Sequence, residues 1–402
     1  MAKTVSSQRS KDAGQRQGGD ATFGSNAVRL SGRQWGVAAG ILVVSFWWVP
    51  TIWEQFEQID ADADYRIPYQ LSNDYWLYGR VCRLAVSQGK TPVVGDSVVW
   101  GQYVPEDETL SHHLNAQAEK HGGGEARFAN LGVDGSHPAA LAGMLGYFGD
   151  AISSRSVILH CNPLWMTSKK HDLQTTKEFR FNHPRLVPQF FPDIACYTAP
   201  LDERLGIVVE RYVPLFSWAG HLQTAYLDNK GLASWTMSRP YENPIGAITL
   251  HVPPSAKKLD ATPRPWTQRG MDRADFRWVD LATSFQWQSF RGSIETLTGR
   301  GNRVFVVVGP FNEHMLKGQS VKTYAELRRG MAEWLRSEGI AHFIPPVLPS
   351  EHYADASHPL GVGYAMLAEQ LFEDAAFIRF FGVEKQADRM SDLDGRRLAL
   401  LP

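Results

Sequence analysis

The sequence contains few cysteines and almost no net charge. Its 402 residues include three cysteines, Cys82, Cys161 and Cys196, whose spacing matches no metal site. An odd number excludes a fully paired disulfide framework, and at most one bridge can form among the three. Because 41 basic and 42 acidic residues leave a formal net charge of −1, no overall positive field favours nucleic acid as a partner.

Sequence motifs for common cofactors are also missing. The chain has no glycine-rich phosphate loop, no dinucleotide-binding fingerprint and no HExxH zinc motif. The neighbouring His112 and His113 and the isolated His183 lack the spacing of metal ligands. We therefore expect neither a metal nor another cofactor. Apart from the N-terminal segment, the sequence has no internal repeat and no low-complexity tract.

The N-terminal part of the chain differs in composition from the remainder. Residues 1–34 are polar and rich in Gly, Ser and Gln, which is typical of a disordered tail. Residues 35–53 carry no charge and have Trp at both ends, so they are long enough to cross a bilayer. Basic residues precede this run and acidic residues follow it, which predicts a cytoplasmic tail, a single-pass anchor and an extracytoplasmic remainder. A cleaved signal peptide is the alternative, because the apolar core before Pro50 is short.

The remainder alternates between strand and helix patterns. Residues 54–90 are interpreted as a stalk followed by a helix, and residues 91–382 as an α/β domain with a parallel sheet. The alternation stops over residues 166–280, which we interpret as a large insertion that is partly helical around residues 201–218. A polar tail is expected over residues 383–402. The strands are expected at residues 92–94, 126–133, 156–162, 303–308 and 341–345.

Residues with a common chemistry follow these predicted strands. Ser97, Gly132 and Asn162 come at the ends of the first three strands, and Asp355 and His358 come in the loop after the last. The carboxyl ends of parallel strands lie at one edge of a sheet, so these residues are expected to meet there. A serine becomes a nucleophile when a histidine takes its proton, and an aspartate orients that histidine.

An oxyanion hole is expected at the same edge of the sheet. The N–H groups of Ser97 and Gly132 and the side-chain amide of Asn162 would donate to the oxyanion that forms when the serine attacks an acyl carbon. A glycine at position 132 would leave room for that reacting carbon.

A second Asp-x-x-His sequence occurs at residues 134–137. It directly precedes Pro138 and a helical pattern, so we expect Asp134 or Ser136 to cap a helix. His137 is not expected to be the base, since the base and the serine should converge from separate loops.

The ordered blocks resemble the SGNH (GDSL-like) hydrolase superfamily over roughly residues 91–165 and 281–377. The blocks are Gly95-Asp96-Ser97, Gly132, Asn162 and Asp355-Ala356-Ser357-His358. The resemblance implies a three-layer α/β/α flavodoxin-like domain that hydrolyses or transfers acyl esters. With the anchor and the insertion, the chain resembles membrane-anchored SGNH-like proteins that work beside membrane-bound O-acyltransferases on cell-wall or exopolysaccharide polymers.

The sequence therefore predicts a membrane-anchored, extracytoplasmic serine esterase or O-acyltransferase. Its expected substrate is an acyl ester, of a cell-surface or secreted polysaccharide, and its expected catalytic residues are Ser97, His358 and Asp355. The alternative hypothesis is a non-catalytic polymer-binding or scaffold protein on a degenerate SGNH fold, which the long aromatic insertion also suits.

Overall fold

A computed structural model describes residues 30–62, 64–122, 127–254 and 263–382. This part of the chain contains five strands and 13 α-helices. The chain divides into two units, residues 1–45 and residues 46–402. The strands are β1 (Thr91–Gly95), β2 (Phe128–Gly132), β3 (Ser156–Cys161), β4 (Arg303–Val308) and β5 (Ala341–Phe343). The helices are α1 (Gly32–Phe56), α2 (Tyr75–Ser87), α3 (Ser97–Trp100), α4 (Leu110–Lys120), α5 (Pro138–Phe148), α6 (Leu201–Tyr212), α7 (Pro214–Tyr226), α8 (Leu232–Ser238), α9 (Pro244–Ala247), α10 (Phe285–Gly299), α11 (Ser320–Ser337), α12 (Gly361–Glu373) and α13 (Ala375–Phe381).

All five strands form one parallel sheet in the order β2-β1-β3-β4-β5. This confirms the α/β class and the parallel sheet predicted from the alternating pattern. β2 lies on one side of β1, and β3 lies on the other side. The connection after β1 therefore runs toward one edge of the sheet, and the connection after β3 runs toward the opposite edge. Such a switch point opens a crevice at the carboxyl ends of the strands. Gly95 and Gly132 are register partners, which brings the ends of β1 and β2 side by side.

Helices cover both faces of the sheet. On the face that carries Val94, the apolar side chains of α2, α5, α10 and α11 form one core. On the face that carries Val93, those of α3, α4, α12 and α13 form a second. Successive residues of a strand point to opposite faces, and continuous apolar strands such as RVFVVV in β4 supply both cores.

The N-terminal helix α1 is long and apolar enough to span a membrane. It contains the whole of residues 35–53, the predicted anchor, and only Pro50 among its residues is buried. Most of its large apolar side chains, including three tryptophans, are exposed. A continuous exposed apolar surface of this kind is costly in water and suits a hydrocarbon environment. Residues 1–29 of the predicted N-terminal tail (1–34) lie outside the described residues. The predicted C-terminal tail, residues 383–402, also lies outside them.

Two predicted segments differ from the structure. The part before residue 75 does not form a stalk, because Ile67 and Leu71 are buried in the core beside β1, whereas the helix predicted after it is present as α2. The insertion between β3 and β4 belongs to the same unit as the sheet. Its predicted helix over 201–218 is two helices, since α6 ends at Tyr212 and Pro214 begins α7. Proline suits the first turn of a helix, where its missing N–H costs nothing.

Candidate active site

Ser97 lies on a tight connection between β1 and α3. Asp96 caps α3, and its side chain accepts a hydrogen bond of 3.0 Å from the N–H of Val98. Ser97 is the first residue of this helix, so its own N–H has no acceptor inside the helix. Gly95 leaves room for the turn, because a Cβ there would lie 2.5 Å from the Val99 side chain and 2.8 Å from that of His160. The strand and the short helix therefore hold the Ser97 hydroxyl at the sheet edge.

The three predicted catalytic residues form one chain of hydrogen bonds. His358 Nε2 lies 2.8 Å from Ser97 Oγ, and His358 Nδ1 lies 2.8 Å from each carboxylate oxygen of Asp355. Asp355 Oδ1 also accepts from the N–H groups of Ser357 and His358, at 2.9 and 3.0 Å. With the Nδ1–H donating to Asp355, the lone pair of Nε2 faces the serine hydroxyl. This is the tautomer that a general base requires.

The electrostatics of this group agree with its geometry. Burial alone would lower the pKa of His358, but the charge of Asp355 and its hydrogen bond outweigh burial and raise the pKa above its usual value. Burial would raise the pKa of Asp355, whereas His358 and the two backbone N–H donors lower it to about 2. Asp355 is therefore ionised at neutral pH and stabilises the protonated form of His358.

Asn162 lies next to the serine turn through its contact with Asp96. Its Nδ2 donates to Asp96 Oδ2 at 2.7 Å, and its Oδ1 accepts from the N–H of Leu164 at 3.0 Å. The indole of Trp165 donates to the same Asp96 oxygen at 2.9 Å. The orientation of the Asn162 amide is thus fixed, and its second N–H has no acceptor within the described residues. Asp96 has the structural role of joining the ends of β1 and β3.

Gly132 does not have the role predicted for it. Its N–H donates to Asn130 Oδ1 at 3.0 Å and is not free to bind an oxyanion. A Cβ at this position would lie 2.2 Å from the backbone nitrogen of Trp100, so the glycine lets α3 pack against β2 and does not make room for a reacting carbon. Gly135, three residues further on, has φ +70° and an N–H that no described residue accepts. The Asp-Gly pair at 134–135 is a turn signal that would have pointed to this loop.

His137 is the cap of α5, which corrects the expectation that Asp134 or Ser136 caps this helix. Its Nδ1 accepts from the N–H of Ala140 at 3.3 Å, and its Nε2 lies 3.1 Å from the carbonyl oxygen of Asn182. Burial lowers the pKa of His137 to about 3, with a further contribution from His183. His137 is fully engaged in holding α5 and the insertion, which is consistent with the prediction that it is not the base.

The end of the insertion reaches the loop that carries Asp355. The N–H of Trp266 donates to the carbonyl of Tyr353 at 2.8 Å, and Arg269 donates to that of Ala354 at 3.3 Å. The Arg269 guanidinium lies 4.2 Å from the ring centre of Tyr103, whose ring in turn meets His358 edge-on at 5.4 Å. Sequence reasoning missed Tyr103 and Arg269, because neither belongs to a motif and they lie far apart in the chain.

Within the described residues, no three His, Cys, Asp or Glu side chains converge as metal ligands. Cys82, Cys161 and Cys196 are buried free thiols. No protein-family model matches the sequence, and no curated protein matches it. The arrangement around Ser97 is therefore the feature of the chain that bears most directly on its function.

Proposed function

We propose that the protein is a serine esterase or O-acyltransferase of the SGNH type, with Ser97, His358 and Asp355 as its catalytic residues. The observation that carries the proposal is the continuous hydrogen-bonded chain from Ser97 Oγ through both nitrogens of His358 to Asp355. Its place at the carboxyl edge of the sheet also supports it. The strand order 2-1-3-4-5 is that of flavodoxin-like domains, which agrees with the proposed fold.

The reaction would proceed through an acyl-enzyme. Ser97 Oγ attacks the carbonyl carbon of the ester while His358 Nε2 takes the hydroxyl proton. The resulting oxyanion is stabilised by the N–H of Ser97, the side-chain amide of Asn162 and the N–H of Gly135, which replaces Gly132 in the proposed set. His358 then gives its proton to the leaving alcohol as the C–O bond breaks. Water or a sugar hydroxyl, deprotonated by His358, attacks the acyl-Ser97 ester and regenerates the enzyme.

The location and substrate class form part of the same proposal. Helix α1 would be a single-pass anchor, with the basic segment before it in the cytoplasm and residues after it outside the membrane. A site held beside the membrane on the outer side would act on the acyl esters of a cell-surface or secreted polysaccharide. A membrane-bound O-acyltransferase would be the partner that supplies or receives the acyl group.

Covalent labelling with a fluorophosphonate tests the proposed chemistry. The full chain should label at Ser97, and S97A should not, because phosphonylation needs an activated hydroxyl. S136A is the matched control, since Ser136 is a buried serine in the second Asp-x-x-His sequence and should leave labelling unchanged. Equal labelling of S97A and the natural sequence would remove the catalytic claim. Absence of labelling in both would favour the non-catalytic, polymer-binding alternative.

A further inference from the structure

Helix α6 of the insertion is attached to the domain by its arginines. Arg204 donates to the carbonyls of Tyr197 and Ala199, at 3.0 and 3.2 Å. Arg211 donates to the carbonyls of Arg185 and Val187, at 3.0 and 2.6 Å. Ile207 is the one buried residue of this helix. The side of the helix that carries Arg204, Ile207 and Arg211 thus faces the protein, while Asp202 and Glu203 are exposed.

The apolar side of α6 faces outward. Leu201, Leu205, Val209 and Tyr212 are between 43% and 65% exposed and are spaced by four, four and three residues, so they lie on one face of the helix. An ordinary surface helix buries such a stripe against the core and exposes its charges. In α6 this stripe is exposed instead, which indicates that an apolar phase covers it.

The stripe continues into α7 and from there to α1. Phe216, which is 46% exposed, lies near the beginning of α7, and its ring centre is 5.9 Å from that of Phe46 in α1. Trp218 in α7 lies 5.5 Å from Trp53 in α1. From Trp53 back to Phe46, the helix rises about 10 Å at 1.5 Å per residue. If Trp53 marks the outer interface of a spanning α1, Phe216 is therefore about 10 Å deep, where amphipathic helices bury their apolar faces.

We propose that α6 and the beginning of α7 lie in the outer leaflet of the membrane, with the α6 stripe and Phe216 in contact with lipid. This rests on the membrane anchoring proposed above. Lipid is the occupant because the stripe leads through Phe216 to α1, an apolar helix that itself requires a bilayer. Tyr212 at the end of α6 and Trp218 in α7 are also residue types that suit the membrane interface. The segment that follows agrees, since Met237, Tyr241 and Ile245 are among the most exposed apolar side chains and Trp235 packs in the same cluster as Trp53. The domain would thus be held in one orientation on the membrane surface.

Lipid-dependent fluorescence quenching tests this contact. The full chain, carrying L205C or E203C, is labelled with bimane and reconstituted in phosphatidylcholine/phosphatidylglycerol vesicles that contain spin-labelled lipids. Glu203 is exposed on α6 and lies about 200° around the helix from Leu205, so it is a matched control. We expect quenching at position 205 to exceed that at 203 several-fold and its emission to shift to the blue. The natural chain, whose three cysteines are buried, measures background labelling.

A third label, at V43C in α1, separates the possible failures. Strong quenching at 43 with equally weak quenching at 205 and 203 would overturn the docking of α6 and leave the anchor intact. Protection of 205 by a copurifying protein without lipid quenching would overturn it too. Weak quenching at 43 and 205 together would overturn both the anchor and the docking, while labelling of Ser97 by fluorophosphonate would still report the proposed chemistry by itself.

Discussion

Two buried histidines in this protein, His358 and His221, each bond to an aspartate through Nδ1 but have different partners at Nε2. His358 bonds to Asp355 through Nδ1 and to the Ser97 hydroxyl through Nε2, both at 2.8 Å. His221 of α7 bonds to Asp74 through Nδ1 at 2.6 Å and to Glu57 through Nε2 at 2.8 Å. The hydroxyl of the first group is thus replaced in the second by another carboxylate.

This one replacement changes what the ring can do. Burial would lower the pKa of His221, but Asp74 and Glu57 outweigh it and raise the pKa to about 9. Both ring nitrogens therefore donate at neutral pH, and no lone pair is left to take a proton. Glu57 also accepts from Tyr226 and Arg80, so the group joins the end of α1 to α2 and α7. A histidine between two carboxylates stabilises the structure, whereas a histidine between a carboxylate and a hydroxyl can act as a base.

Among the substitutions that test this comparison, His358→Ala should have the largest effect, a loss of catalytic turnover. Removal of the base leaves Ser97 without a proton acceptor, and turnover of p-nitrophenyl acetate should fall by at least about 10⁴-fold. Asp355 keeps its backbone donors from Ser357 and residue 358, so the variant should still fold, which a cooperative thermal unfolding transition would show. A variant that retains more than a tenth of the activity would show that His358 is not the base.

Asp355→Asn should lower turnover by about 10³- to 10⁴-fold and also change its pH dependence. His358 works as a base when it is neutral, so the rate rises with pH through the pKa of His358, which lies above about 6.5 in the natural chain. Loss of the carboxylate removes the main cause that raises this pKa. The midpoint of the rate profile should therefore move to lower pH while the plateau falls. An unchanged midpoint would contradict the role given to Asp355.

His221→Gln should have the opposite pattern. It leaves Glu57 and Asp74 buried without the cation between them, and breaking a buried ion pair in this way costs about 3–5 kcal/mol. We expect the free energy of unfolding, measured by urea titration in detergent, to fall by this amount. Fluorophosphonate labelling per folded molecule should stay within about twofold, since His221 does not contact Ser97. If labelling per folded molecule fell more than about tenfold, His221 would belong to the catalytic machinery.

The two histidine groups also differ in how far they can be predicted from sequence. Buried strands are local patterns of apolar residues, and residues 303–308 were predicted with the bounds that β4 has. Once the strands are placed, their ends bring Ser97, Asn162 and His358 to one edge. The partners of His221 are 147 and 164 residues away in segments without a motif, so no local pattern predicts that they meet.

Hydrogen bonds from side chains to backbone groups are a second feature that could not be predicted from the sequence. The position of Gly132 at a strand end was predicted correctly, but its N–H is taken by Asn130 from within the same strand. That hydrogen bond depends on which way Asn130 turns against α3, where its Nδ2 also donates to the carbonyl of Val99 at 2.9 Å. Such a choice is set by tertiary packing and has no counterpart in the spacing of residues.

The smallest expected effect is the pH dependence of stability that His221 confers. Its pKa in the folded chain, about 9, is above that of an unfolded histidine, about 6.5. A raised pKa stabilises the fold fully below the unfolded value, and this stabilisation is lost as the pH rises through the folded value. Glu57, whose pKa is lowered, stays ionised throughout this range and does not contribute to the slope. The thermal midpoint of the natural chain should therefore decline between pH 6.5 and 9.5 by more than that of His221→Gln, and parallel declines in the two proteins would show that His221 is not held as a cation.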